Sequence, residues 1–295
     1  MNAKKKPPFN PSLALVTGVL AVSTGAIFVR LAEAPAMVIA AYRVGLASLI
    51  LAPIAWWRAR DELLSLEKHD YLLAGLAGLF LALHFATWIS SLNYTSVANS
   101  VVLVNTNPLW VGLLTPLISK DRLTLMTKIS IVVCVIGGVV IGIGDFATGG
   151  QALWGDFLAL VGSICAAMYL LLGRNLRRKL SLLAYIFLCY GSAAIILCPF
   201  VIVLRLPVVG FSTGTYAALV SMALIPQIIG HSSYNWALKW FSASFIAVSL
   251  LGEPIGATIL AYIIFGETLT WAKFVGGSLI LAAIYLAARG EKTSV

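Results

Sequence analysis

Apolar stretches long enough to cross a lipid bilayer follow one another along this chain with only short polar turns between them. A helix needs roughly 20 apolar residues to cross about 30 Å of hydrocarbon. Reading from turn to turn gives ten candidate spans, near 12 to 31, 36 to 57, 71 to 92, 96 to 118, 127 to 144, 154 to 173, 183 to 204, 213 to 238, 243 to 265 and 271 to 288. A soluble domain of 295 residues that is 60% hydrophobic and 11% charged would leave far too much apolar surface in water. With a mean hydropathy of +0.97, the solvent for most of the chain is lipid. The expected fold is therefore an all-α integral membrane protein with ten transmembrane helices.

The spans fall into two sets of five at an offset of 146 residues. Pro53 meets Pro199, Pro108 meets Pro254, and Asp121-Arg122-Leu123-Thr124 meets Glu267-Thr268-Leu269-Thr270 without a gap. Around the first proline pair, Gly45, Ala47, Ile50 and Leu51 meet Gly191, Ala193, Ile196 and Leu197. Aliphatic matches come easily in so apolar a chain, so the prolines, the glycines and the acid-x-Leu-Thr turn carry the weight. The reading is a duplication, residues 1–147 and 148–295, forming one structural unit. Five is odd, so the second set must insert in the opposite sense, giving two inverted five-helix repeats of the kind found in transporters.

Charge supports a sidedness. With a cytoplasmic amino terminus, the inner segments hold 16 of the 20 Lys and Arg residues: Lys4, Lys5, Lys6, Arg58, Arg60, Lys68, Lys120, Arg122, Lys128, Arg174, Arg177, Arg178, Lys179, Lys239, Arg289 and Lys292. Arg30, Arg205 and Lys273 fall outside and Arg43 lies within a span, so the excess of inner cations puts both termini in the cytoplasm. The same scatter argues against nucleic acid as a partner despite the net charge of +9, because no soluble face gathers the cations. Lys4 to Lys6 before an apolar run, with Ala32-Glu33-Ala34 after it, imitates a secretory leader. Its removal would leave the two halves unmatched, so it is read as the first span.

Polar residues inside spans cost energy and need a reason. His84 and His231 lie in equivalent spans three and eight, and Trp88 and Tyr234, at the repeat offset, follow them on the same helical faces. Two walls of a central cavity would look like this; hydrogen bonding between neighbouring helices is the plainer alternative. Glu253, between Gly252 and Pro254, is the only acid deep in a span, and Asn107 is its repeat partner. It is a candidate for coupling to protons or for a structural pair. Arg43 could pair with Glu253, bond backbone carbonyls, or receive a substrate carboxylate bidentately. Asn99 and Asn107 in span four, Gln227 in span eight and Ser249 in span nine are further polar candidates. Tyr42, Trp110, Tyr169, Tyr190 and Trp236 could line a cavity or anchor at the boundary; Trp56, Trp57, Trp154 and Trp271 fall at span ends and read as anchors. Pro108 and Pro254, mid-span, can kink their helices or serve as hinges. Small residues at Gly138 and Gly142, and at Ala272, Gly276, Ala283 and Ala287, mark spans five and ten as packing elements.

Several chemistries have no motif here. The chain lacks a Gly-x4-Gly-Lys-Ser/Thr loop, a His-Glu-x2-His pair and a Gly-x-Ser-x-Gly elbow, so neither ATP hydrolysis, a metal nor any cofactor is expected. The four cysteines, all in apolar runs, read as small hydrophobes.

Asn107-Pro108-Leu109 with Asp121-Arg122-Leu123-Thr124, and Glu253-Pro254-Ile255 through Phe265-Gly266-Glu267-Thr268-Leu269-Thr270 to Gly276-Gly277, resemble the tandem EamA-type repeats of the drug/metabolite transporter superfamily. The resemblance covers essentially the whole chain. It implies ten helices in two inverted halves, a substrate cavity between them, and export of small metabolites. More narrowly, the chain is similar to a bacterial aromatic amino acid exporter of that superfamily. The first repeat departs from the acidic pattern by carrying Asn107 where the second has Glu253. The expected function is thus a plasma-membrane carrier, in the inner membrane of a bacterium, that exports amino acids, aromatic ones among them, and related metabolites by alternating access and facilitated diffusion. His84, Trp88, His231, Tyr234, Arg43, Asn99 and Asn107 would contact the small-molecule cargo. A broad drug or metabolite exporter, or a proton-coupled antiporter, is the alternative; an intramembrane lipid-modifying enzyme is a distant one.

Overall fold

The structure is a computed structural model that describes residues 10–95, 97–118, 124–142, 151–266 and 271–290. Asp121 to Leu123 and Glu267 to Thr270, which carry the acid-x-Leu-Thr turns, lie outside the described residues, as does the side chain of Asn99. The described residues are helical, without a strand. In chain order the helices are α1 (Pro11–Val22), α2 (Gly25–Leu31), α3 (Ala36–Arg58), α4 (Arg60–Leu64), α5 (Lys68–Ser91), α6 (Val97–Val104), α7 (Asn107–Ile118), α8 (Leu125–Gly142), α9 (Gln151–Arg177), α10 (Leu182–Val203), α11 (Thr213–Met222), a π-helical segment (Ala223–His231), α12 (Ser232–Ala237), α13 (Ala243–Ser249), α14 (Gly252–Phe265) and α15 (Trp271–Gly290).

Among the described residues, seven helical segments are long and apolar enough to cross a membrane: Pro11–Leu31, Ala36–Arg58, Lys68–Ser91, Gln151–Arg177, Leu182–Val203, Thr213–Ala237 and Ala243–Phe265. Three shorter apolar helices, Ser100–Thr115, Lys128–Gly137 and Phe274–Ala283, fall where spans four, five and ten are expected. Helix starts are set by local chemistry. Ser181, Ser212 and Ser242 each accept the backbone N–H three residues on, at 3.1–3.2 Å, satisfying a donor that the first helical turn leaves unpaired. Glu67 and Asp70 form a capping box at the start of α5.

Four of the spans are not uniform α-helices. Spans one, four and nine each break in the middle, between α1 and α2, α6 and α7, and α13 and α14. Where kinks were expected at Pro108 and Pro254, the helix stops and restarts, and each proline sits in the first turn of the new helix, where its missing N–H costs nothing. Side chains at the breaks bond back to the preceding turn: Ser23 Oγ donates to Val19 O at 2.8 Å, Asn105 Nδ2 to Val101 O at 2.8 Å, and Ser249 Oγ to Phe245 O at 2.9 Å. Span eight stays helical but loosens to π geometry around Pro226, whose ring cannot take a regular α register.

The helices pack α5 along α9, α8 along α15, α10 against α3 and α5, and α1 against the π segment and α12. Spans five and ten, which carry the small-residue spacings, are therefore partners, and Ala283 is fully buried there. At the α5–α10 crossing a Cβ on Gly78 would lie 2.7 Å from Cys189 O and 2.5 Å from Ser192 Cβ, so only glycine lets the backbones approach. The distribution of polarity is inverted relative to a water-soluble protein. Leu49, Trp57, Ile195, Val203, Ile263 and Trp271 are exposed, while Arg43, Asn107, Gln227, His231 and Asn235 are buried. An outer surface this apolar is built for lipid.

Candidate functional site

The irregular helices converge on one internal pocket. Its lining includes Arg43 from α3, His84, Phe85 and Trp88 from α5, Asn105 and Asn107 from the α6–α7 break, Tyr169 from α9, His231 and Tyr234 from the end of span eight, and Glu253 from the first turn of α14. Seven residues nominated from sequence thus meet: Arg43, His84, Trp88, Asn107, His231, Tyr234 and Glu253. Pro108 and Pro254 both line a smaller neighbouring cavity, with Asn105, Thr106 and Cys134.

Arg43 is 2% exposed and is held from three directions. Its Nε donates to Gln227 Oε1 at 2.7 Å, its Nη1 lies 3.7 Å from Met222 Sδ, and its guanidinium sits 3.9 Å from the centre of the Phe85 ring. A cation over an aromatic face is attracted by the ring quadrupole. Of the partners considered from sequence, the structure selects neither Glu253 nor a backbone carbonyl: no ion pair joins Arg43 to Glu253 among the described residues. Glu253 has Asn105 Nδ2 at 3.5 Å as its side-chain partner, a long contact for a carboxylate.

Both histidines line the pocket, and only His84 also bonds a neighbouring helix. His84 Nδ1 donates to Gly162 O at 2.9 Å, tying α5 to α9, and its ring stacks on Trp88 with an interplanar angle of 4°. His231 Nδ1 is hydrogen bonded to the Tyr234 hydroxyl, and its ring meets the Phe85 ring edge-on at 5.1 Å. Both rings also line the pocket. Behind this wall Asn235 Nδ2 donates to Tyr169 Oη at 2.5 Å and to Tyr190 Oη at 3.4 Å, Tyr190 bonds Ser232 at 3.2 Å, and Arg177 Nε donates to Asn235 O at 3.0 Å. The network fixes α9, α10 and α12 relative to one another. At the pocket itself, buried Trp88 Nε1 and Asn107 Oδ1 have no hydrogen-bond partner, and neither does Gln227 Nε2 beside Arg43. Buried polar groups left unpaired are rare enough to need an explanation, and a bound solute is one.

Sequence reasoning passed over Phe85 and Asn105 and left Tyr169 ambiguous. Phe85 adjoins His84 and lies three residues before Trp88, so helical spacing could have nominated it. Asn105 marks the helix break, which sequence did not reveal. Among the other aromatics, Tyr42 donates its hydroxyl to Val208 O at 2.6 Å in the α10–α11 connection, and Trp236 packs on Trp240, so neither belongs to the pocket lining.

The class of protein follows from an apolar exterior around a polar, aromatic pocket built where helices break: a multi-pass membrane protein with an internal polar pocket. The EamA-like transporter family model matches residues 11–143 and again residues 153–289, and the chain belongs to that family. It is thus a transporter rather than an enzyme. It is similar to an uncharacterized transporter of Archaeoglobus fulgidus, 24% identical over 276 residues, covering 94% of this chain and 95% of the relative. It is also similar to the uncharacterized transporter YyaM of Bacillus subtilis, 24% identical over 262 residues, covering 84% and 83%. A solved crystal structure matches with a TM-score of 0.75 at 19% identity, covering 95% of this chain and 96% of its own, a likeness of fold.

Proposed function

We propose that the chain is a ten-span carrier of two inverted five-helix halves, residues 1–147 and 148–295, that exports amino acids with apolar or aromatic side chains across the plasma membrane. Both termini are cytoplasmic. The halves rock around the pocket in alternating access, and flow follows the gradient. The observation that carries the reading is the pocket: a guanidinium, four aromatic side chains (Phe85, Trp88, Tyr169 and Tyr234), two histidines and unpaired polar groups at one internal point.

Two further observations support the halves. The family model matches twice. Helix packing also respects the exchange of spans one to five with six to ten: α5 on α9 answers α1 on span eight, and α10 on α5 answers α3 on the π segment. The broken helices in spans four and nine resemble the discontinuous helices that build solute sites in transporters with inverted repeats. His84, Trp88, His231, Tyr234, Arg43 and Asn107 contact the cargo in this reading, and Asn99, in α6, is retained as a candidate. Pro108 and Pro254, at matching breaks, are the hinge positions.

The test is reconstitution in liposomes with labelled tryptophan and phenylalanine, with and without a pH gradient. Uptake above empty liposomes that is reduced by His84→Ala and His231→Ala supports the assignment; uptake equal to empty liposomes sinks it. Proton-coupled exchange is the second reading, favoured by the carboxylate of Glu253 in the pocket, and dependence of uphill flux on the pH gradient would select it. Competition by cations or nucleotide sugars as strong as by amino acids would instead select a broad metabolite exporter.

A further inference from the structure

The polar groups of the pocket are sorted by sign. On the wall made by α3 and α5 stand donors: the guanidinium of Arg43 and the indole N–H of Trp88, the latter buried without a partner. Arg43 uses Nε on Gln227 and turns Nη1 toward Met222, and no acceptor among the described residues lies on Nη2. On the wall made by the α6–α7 break and α14 stand acceptors: the carboxylate of Glu253 and the amide oxygen Oδ1 of Asn107, also buried without a partner. A permanent cation and a carboxylate share one enclosed space, yet they form no ion pair with each other. Two opposite charges kept apart in a buried site are costly unless something bridges them. The rings of His84, Phe85, Trp88 and Tyr169 line the same pocket.

The geometry points to a zwitterion clamp: Arg43 and Trp88 receive the carboxylate of an α-amino acid, Glu253 and Asn107 receive its ammonium, and the aromatic rings hold its side chain. This rests on the amino acid carrier reading above and gives Glu253 a recognition role in it. A guanidinium fork matches a carboxylate bidentately, and a carboxylate with a neighbouring amide oxygen matches the three N–H donors of an ammonium group. Cargo must then carry both charges. An amine or an acid with the same side chain satisfies one wall and leaves the other buried and unpaired, and a site built to bond a polar group rejects an analogue lacking it far more strongly than it rejects a change of size.

The experiment compares tryptophan, tryptamine and indole-3-propionate as competitors of labelled tryptophan flux in liposomes. The wild-type protein is expected to prefer tryptophan at least about tenfold over either analogue. Glu253→Gln should weaken tryptophan about tenfold or more while leaving indole-3-propionate within about twofold, and Arg43→Gln should do the reverse with tryptamine as the spared ligand. Monodispersity in detergent controls for folding, and the wild-type preference stands even where a variant does not fold. Equal competition by all three compounds overturns the clamp while leaving amino acid transport in place. So does a Glu253→Gln protein with wild-type selectivity that has lost only its response to a pH gradient. Absence of any tryptophan flux overturns both the clamp and the carrier reading.

Discussion

Gln227 is the group whose removal best tests how a buried cation is kept in this protein. Its Oε1 accepts from Arg43 at 2.7 Å, while its Nε2 has no partner. In Gln227→Met the lost bond to a charged donor counts about 1.5–3 kcal/mol, and relief of the orphaned amide returns about 1–3 kcal/mol. Those two nearly cancel, so the charge left behind decides the sign. Stripping the partner from a buried ion costs about 3–5 kcal/mol in soluble proteins. Polar bonds within membrane bundles measure lower, averaging about 0.6 and reaching about 1.7 kcal/mol. Phe85, 3.9 Å below the guanidinium, remains in place. The expected net loss is therefore about 1–2 kcal/mol. Arg43→Met with Gln227→Met replaces both polar groups by apolar ones of similar length and is expected to be neutral or stabilising relative to the single Gln227→Met protein. Equilibrium unfolding of the four proteins of this cycle in bicelles gives the coupling directly. Additivity within about 0.5 kcal/mol would refute the claim that Gln227 is what holds Arg43.

Two further outcomes follow from packing and from the inner surface. Gly78→Ala should lose about 1–3 kcal/mol, because its Cβ meets the backbone of α10, whereas Gly75→Ala, with nothing within 4 Å, should be neutral or stabilising; thermal unfolding in detergent separates them, and equal behaviour would count against the described α5–α10 approach. Lys179 donates to Asp70 at 2.6 Å and Ser181 N donates to Glu62 at 2.6 Å, tying the first half of the chain to the α9–α10 connection. Asp70→Asn should speed exchange of labelled solute, by less than about fivefold since the Lys179 end of the pair is exposed and screened although Asp70 is buried, and an unchanged rate would remove this contact from the opening step. The Lys179 ammonium is held above its usual range by hydrogen bonding to Asp70. A raised lysine value keeps the link through neutral and mildly alkaline pH and loses it only as pH climbs through that value, so the variant's effect should persist across that range.

The membrane class was legible because it depends on composition, which no tertiary contact can override. The pocket was legible through residues that violate the rule of the span they occupy: Arg43, His84, His231 and Glu253 are conspicuous against leucine and valine, and all four line it. What stayed hidden was the breaking of helices. A proline inside an apolar run predicts a kink or a stop equally well. Here Pro53 and Pro199 ride inside continuous α3 and α10, while Pro108 and Pro254 open new helices. Side-chain bonding to the preceding turn does not by itself separate them, since Ser48 Oγ donates to Val44 O at 2.7 Å five residues before Pro53, in a helix that stays unbroken. Asn105 and Thr106 both donate side-chain hydrogen bonds to the preceding turn, to Val101 O and Leu103 O, and Ser249 does the same to Phe245 O. What span four has and α3 lacks is two such donors in succession directly before the proline-bearing turn, where α3 has Leu51 and Ala52.

The pocket sits where the backbone is irregular. In hydrocarbon a broken helix exposes carbonyls and N–H groups that lipid cannot satisfy, so irregular backbone survives only where side chains, water or solute take them up. Two residues at the breaks, Asn105 in span four and Glu253 in the first turn of α14, are also pocket residues. Gln227 and His231 lie in the π segment, the fourth irregularity, and both turn inward, Gln227 to hold Arg43 and His231 to face Phe85. Irregular backbone and polar pocket are therefore one construction. A substitution that restored helical continuity, such as Pro108→Ala with Asn105→Leu, should stiffen span four and remove a wall of the cavity together. Loss of flux with gain of thermal stability is the expected signature of that coupling; retention of full flux in a more stable protein would show that the break and the site are separable.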